Sequence, residues 1–93
     1  MKYVRNPDVA YRVIDGEAVL VDSKAGTTFV LNAVGSCVWT ALENATLDEL
    51  VVRVRQEFSA EDADARADIE DFLSRLDEKR LVLVAQDTVD KNG

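Results

Sequence analysis

The chain has 93 residues, with 18 Asp/Glu against 11 Lys/Arg, no His, one Cys and one Pro, for a formal charge of −7. That length allows one domain of ordinary size, and 47% hydrophobic residues give it the means to bury a core. With no His and a single thiol at Cys37, the sequence excludes Ser-His-Asp and Cys-His catalysis, His-ligated metals, Cys-x-x-Cys sites and an intrachain disulfide.

In chain order, Val9-Ala10-Tyr11-Arg12-Val13-Ile14 and Glu17-Ala18-Val19-Leu20-Val21-Asp22 read as two strands. The two residues between them, Asp15-Gly16, supply the positive φ angles of a type I′ turn. A second turn, Ser23-Lys24-Ala25-Gly26, leads into a third strand, Thr27-Thr28-Phe29-Val30-Leu31. The expected sheet is a three-stranded antiparallel meander. Its central strand is apolar on both faces, so alternation does not settle which face meets the core.

Asn32 stands where a helix N-cap belongs. Val34, Cys37, Val38, Ala41 and Leu42 then form one helical stripe, and Asn44 is placed to end the helix in a left-handed C-cap. Thr46 and Glu49 form a capping box for a second helix with Leu47, Leu50, Val51, Val54 and Phe58 on its buried face. Ser59-Ala60-Glu61-Asp62 opens a third helix, striped by Ala65, Ile69, Phe72, Leu73 and Leu76, with Lys79 and Arg80 in its last turn. Residues 81–84 read as a short strand, and residues 86–93 as a polar, frayed tail. The expected domain is residues 1–85. Its fold class is α+β, βββααα, a winged helix-turn-helix-like arrangement of a three-stranded antiparallel sheet followed by three helices.

Charge sharpens the exclusions. Residues 1–45 carry 5 acids and 4 bases, and residues 46–93 carry 13 acids and 7 bases, so the charge splits −1 and −6. The third helix, as a DNA reader, would bring Glu61, Asp62, Asp64, Asp68, Glu70, Asp71, Asp77 and Glu78 towards phosphates with only Arg66 and Arg75 to offset them; no nucleic-acid partner is expected. Clustered cations for an anionic membrane are also missing, and the longest apolar runs fall far short of a span. One thiol and no secretory signal fit the cytoplasm. No Asp-x-Asp-x-Asp-Gly loop is present, so no metal and no cofactor are expected. Cys37 and Trp39 read as core. The composition is that of a binding module and not an enzyme.

The third strand is the informative feature. Residues 27–31 would form an edge of the meander with no charge, Pro or Gly to defend it. Three occupants compete for that edge: residues 81–84 of the same chain, a second copy, or a peptide added as a strand.

The run Phe29-x-Leu31-Asn32-x-x-Gly35-x-x-Val38-Trp39-x-x-Leu42 resembles the signature of the coenzyme PQQ synthesis protein D (PqqD) family. The surroundings agree: an Arg12-x-x-Asp15-Gly16 hairpin before it, Thr46-x-x-Glu49-Leu50 and Phe72-Leu73-x-x-Leu76 after it, covering roughly residues 9–84. Asn44 and Arg80 depart from glycines usual in the family. The resemblance implies a non-catalytic recognition element for ribosomally made, post-translationally modified peptides. Such a domain binds the leader segment of a precursor and presents it to a modifying enzyme, typically a radical SAM protein, in PQQ synthesis or a related pathway. The leader docks as an extra strand on the third strand, in a groove closed by the third helix. Carried onto this chain, the peptide-binding residues are Thr27, Thr28, Phe29, Val30 and Leu31 from the strand, with Ala65, Arg66, Ile69, Phe72 and Leu73 from the helix. Acidic groups beside the groove point to a leader with Lys or Arg near its apolar anchors. The alternative reading is a protein–protein adaptor or homodimerisation module using the same edge, with the chain a monomer or weak dimer.

Overall fold

The computed structural model describes residues 1–85; the stretch 86–93, read above as a frayed tail, lies outside the described residues. Its elements are β1 (Lys2–Arg5), β2 (Ala10–Ile14), β3 (Glu17–Asp22), β4 (Thr27–Val30), α1 (Ala33–Ala41), β5 (Glu43–Ala45), α2 (Leu47–Phe58), α3 (Asp62–Glu78) and β6 (Val82–Ala85). The expected meander is the sheet β2-β3-β4, and the three expected helices follow it. A second antiparallel sheet, ordered β5-β1-β6, adds to the expectation.

Local chemistry explains the meander. Asp15 and Gly16 take φ of 51° and 82°, so the two-residue loop is left-handed at both positions and sets Ile14 opposite Glu17. At the next turn the Asp22 carboxylate accepts from the Lys24 and Ala25 amides at 3.1 and 3.3 Å. Gly26, at φ 70°, closes that loop by donating its N–H to the Asp22 carbonyl at 2.8 Å. The two faces of β3 are now distinct: Ala18 and Leu20 are buried in the core, while Val19 is half-buried and Val21 exposed.

The second sheet resolves the question of residues 81–84. They lie in and before β6, which pairs with β1 from Lys2↔Ala85 to Arg5↔Val82, and not with β4. Arg5 of β1 also completes α1. That helix has no base in its last turn, and the Arg5 guanidinium donates to the Trp39 and Thr40 carbonyls at 2.9 and 3.1 Å.

The caps follow the sequence with three corrections. The Asn32 carboxamide accepts from the Gly35 amide at 2.8 Å, and Thr46 and Glu49 exchange both bonds of the capping box. Asn44 is left-handed (φ 61°) but lies in β5, beyond the helix; Leu42 caps α1 by donating to the Trp39 carbonyl. Ser59 is the left-handed cap that ends α2, so α3 starts after Glu61 with no side-chain cap. Phe58, in the final turn of α2, is 39% exposed, because the helix has already run past the core there.

Lys79 and Arg80 lie past α3, whose last-turn base is Arg75. Arg80 takes φ 58°, its amide donates to Asp77 and the Leu81 amide to Leu76, a Schellman closure in which buried Leu81 and Leu76 belong to the same core.

Core and sheet meet at Trp39, which is fully buried and sits edge-on to Tyr11 with ring centroids 5.6 Å apart. The same core holds Leu20, Leu42, Leu50, Val51, Ile69, Leu81 and Val82. Cys37 is buried as expected and donates to the Glu57 carboxylate at 3.2 Å.

Candidate functional site

Among the described residues, nothing pairs with the outer edge of β4. The ladder on its inner side shows which groups that edge offers. The Leu31 amide donates to the Ala18 carbonyl at 2.9 Å, and Leu20↔Phe29 and Asp22↔Thr27 follow in register. Because hydrogen-bonded pairs alternate along an antiparallel ladder, Thr27, Phe29 and Leu31 turn their backbone groups towards β3. Thr28 and Val30 turn theirs outwards. Val30 is also the most exposed large apolar side chain in the described structure, at 65%.

One buried hydroxyl sets where β4 leaves the sheet. Ser36 of α1 accepts from the Ala18 amide at 2.7 Å and donates to the Leu31 carbonyl at 3.3 Å. It thus stands in the ladder in place of a direct bond from the Ala18 amide to Leu31. The helix N-terminus is tied to the end of the strand, which holds the edge in place.

Side chains of β4 alternate as the pleat requires. Thr28 and Val30 are exposed, whereas Phe29 and Leu31 are half-buried and pack on the core. Beside them runs α3. Lys79, just past its end, places its ammonium 5.7 Å from the centre of the Phe29 ring. Further back along the helix, Asp68, Ile69, Asp71, Phe72 and Arg75 face Asn32, Val34, Gly35 and Val38 across a cleft of about 280 Å³. Gly35 permits this approach: a Cβ there would stand 3.3 Å from the Phe72 ring.

The residues singled out from sequence are therefore dispersed. Thr27 to Val30 form the edge itself, Leu31 follows its end, and Phe72 and Ile69 reach the cleft. Ala65, Ile69 and Leu73 are buried in the core, and Leu73 borders a different hollow, with Tyr3, Leu47 and Val84. Arg66 is bound to Asp48 of α2 at 2.8 Å and lies 3.8 Å from Asp62. Asp68, Asp71, Arg75, Lys79 and Val34 were not singled out. On a helical wheel, positions −4, −1, +3 and +7 from Phe72 share its flank, so the helical ones were within reach of the sequence.

Two of the other edges, β2 and β5, are less suited to accept a strand. β2 carries Arg12, and β5 is three residues long, with Glu43 and an irregular register against β1. A larger hollow of about 550 Å³ lies beside β5 and α2, lined by charged groups including Glu43, Asp48, Glu49 and Arg53. β6 is uncharged, like β4.

Among the described residues, no helix is long and apolar enough to cross a membrane. Residues 17–82 match the family described as Coenzyme PQQ synthesis protein D (PqqD). The fold is similar to that of a solved structure, TbiB1 in complex with the TbiA(beta) leader peptide. The two share 35% identity over 94% of this chain and 100% of that one, with a TM-score of 0.81. Lasso peptide synthetase B1 complexed with the leader peptide has the same fold, at 21% identity over 90% of this chain and 100% of that one, with a TM-score of 0.78. No curated protein sequence matches the chain.

Proposed function

We propose that this chain, which belongs to the coenzyme PQQ synthesis protein D (PqqD) family, is a recognition element that binds the leader segment of a ribosomally made precursor peptide by strand addition at β4. The observation that carries this reading is the unpaired, uncharged β4 edge beside a cleft walled by α3. A structural relative sharing 35% identity and the same fold is seen with a leader peptide bound. The role is non-catalytic: the chain holds the leader and presents the remainder of the precursor to a modifying enzyme, of the radical SAM or another peptide-modifying class.

The energetics suit a carrier. The amides and carbonyls of Thr28 and Val30 offer four backbone bonds at about 1 kcal/mol each, which alone corresponds to roughly millimolar affinity. Two apolar leader side chains entering beside Phe29, Val34 and Phe72 would add about 1.5–3 kcal/mol each, before the cost of association. Micromolar binding is then attainable, tight enough to capture a precursor and loose enough to release a product.

The test is amide shift mapping of the labelled protein with a synthetic leader of the precursor encoded beside its gene. The expected result is a 1:1 complex that protects the Thr28 and Val30 amides from exchange. Val30→Pro, which removes an outward donor without touching the β3 ladder, should weaken binding ten-fold or more. Perturbations confined to β2 or β6 would sink the proposal. Concentration-dependent shifts at β4 without peptide would favour self-association through that edge.

A further inference from the structure

We infer that the two ends of the β4–α3 groove carry opposite, uncompensated charges. They select a peptide in which a basic side chain precedes an acidic one, with apolar residues between. The inference rests on the reading that β4 takes up a strand, and goes beyond it by assigning the ligand's charge order and direction.

Besides buried Ile69, the groove flank of α3 and its end carry Asp68, Asp71, Phe72, Arg75 and Lys79. The middle pair cancels, since the Arg75 guanidinium lies 2.9 Å from the Asp71 carboxylate. Asp68 and Lys79 take part in no ion pair among the described residues. The contacts fix their places along β4. Lys79 stands over Phe29, within the strand, whereas Asp68 shares the cleft with Asn32 and Val34, which follow it. Helix and strand therefore run in opposite directions, with the cation beside the strand and the anion beyond its end.

Eleven residue steps along α3 and its cap separate the two charges, roughly 16 Å along the axis. A strand advances about 6.8 Å for every two residues, and only alternate side chains face one side. Partners of Asp68 and Lys79 must therefore be an even number of residues apart. Four residues span roughly 14 Å and six roughly 20 Å, and the long side chain of Lys79 covers the difference in either case. The intervening residues of the same parity meet Phe72 and Leu31, which calls for apolar side chains.

Direction follows from pairing. An antiparallel partner is the more stable per residue, and it would enter at the Asp68 end and leave at the Lys79 end. The ligand is then Lys or Arg, followed four or six residues later by Asp or Glu, with one or two apolar residues facing the groove between them. Each exposed charge pair should change affinity by about two- to five-fold, less at high salt. A peptide of reversed polarity would face two repulsions.

The experiment is selection from a random twelve-residue display library, run in parallel on the wild-type chain, the D68K/K79E double variant and Val30→Pro. Both charged positions are exposed, so the double variant keeps its core. The expected result is base-before-acid at even spacing with the wild type, and acid-before-base with the double variant. Selected peptides should bind Val30→Pro at least ten-fold more weakly. Apolar enrichment without charge order, or an order unchanged in the double variant, would overturn this inference and leave strand addition standing. The reversed order with the wild type would overturn it too. No enrichment at all, or equal binding to Val30→Pro, would overturn the underlying reading of β4.

Discussion

Replacing Ser36 with Ala tests whether one hydroxyl holds the β4 edge in place. The Ser36 oxygen accepts from the Ala18 amide at 2.7 Å, and Ala18 is 0% exposed. Truncation leaves that donor buried with no acceptor, which costs about 1–3 kcal/mol. The Leu31 carbonyl also loses a donor at 3.3 Å, but Leu31 is only half-buried and water can replace it. The expected loss is therefore about 2 kcal/mol, a large share of the stability of a small domain. Urea unfolding followed by the fluorescence of Trp39, the single tryptophan, reads it directly. The midpoint should fall by about 1–2 M, and the thermal midpoint by roughly 8–16 °C. Thr40→Ala is the control: that hydroxyl bonds back to Cys37 within its own helix at 3.1 Å, and its loss should cost under about 0.5 kcal/mol. If Ser36→Ala also cost less than about 0.5 kcal/mol, the bridge between strand and helix would carry no weight.

Arg80→Gly should stabilise the chain by about 0.5–1 kcal/mol, because a side chain there is held at φ 58° where Gly is unstrained; a lower unfolding midpoint would refute this. The Cys37 thiol is pushed up from 9.0 to about 11, first by burial and then by its bond to Glu57. The folded state thus keeps a proton that the unfolded state gives up. The stability of wild type relative to Cys37→Ala should fall as pH rises from 9 towards 11 and be level below pH 8. A difference independent of pH would remove the argument. In native protein at pH 8, Cys37 should react with a thiol reagent far more slowly than it does in urea.

Most of the local structure was legible in the sequence because its causes are local. Asp15-Gly16 fixes the hairpin, Asn32 and the Thr46–Glu49 box start two helices, and each acts within four residues of itself. The second sheet was not legible, because β1 pairs with β5 and β6, and those partners lie about 40 and 80 residues away. Nothing in Lys2-Tyr3-Val4-Arg5 alone names them. Arg5 shows the same limit: its role at the end of α1 depends on that distant pairing. In the candidate site the open edge was readable from its lack of charge. The helix wall was carried over from the family resemblance, and two of its residues, Ala65 and Leu73, lie on the side facing the core. The flank beside β4 is marked instead by Asp68, Asp71, Arg75 and Lys79, residues that periodicity discards as surface. The acidity of the third helix is likewise divided in the fold. Asp62 lies near Arg55 and Arg66 while Asp71 is bound by Arg75, and only part of the charge borders the groove.

The pairing of β1 with β6 sets Lys2 beside Ala85. Tyr3 and Val84 border the hollow against Leu73, Ser74 and Asp77, on the other side of α3 from Asp68 and Phe72. A polypeptide therefore enters and leaves this domain at a single corner, with the helix between that corner and β4. Such a module can be spliced into a loop of a larger enzyme, or tethered to it by either end, like a bead on one knot. In either arrangement the open edge of β4 would stay clear of the junction, with α3 between them.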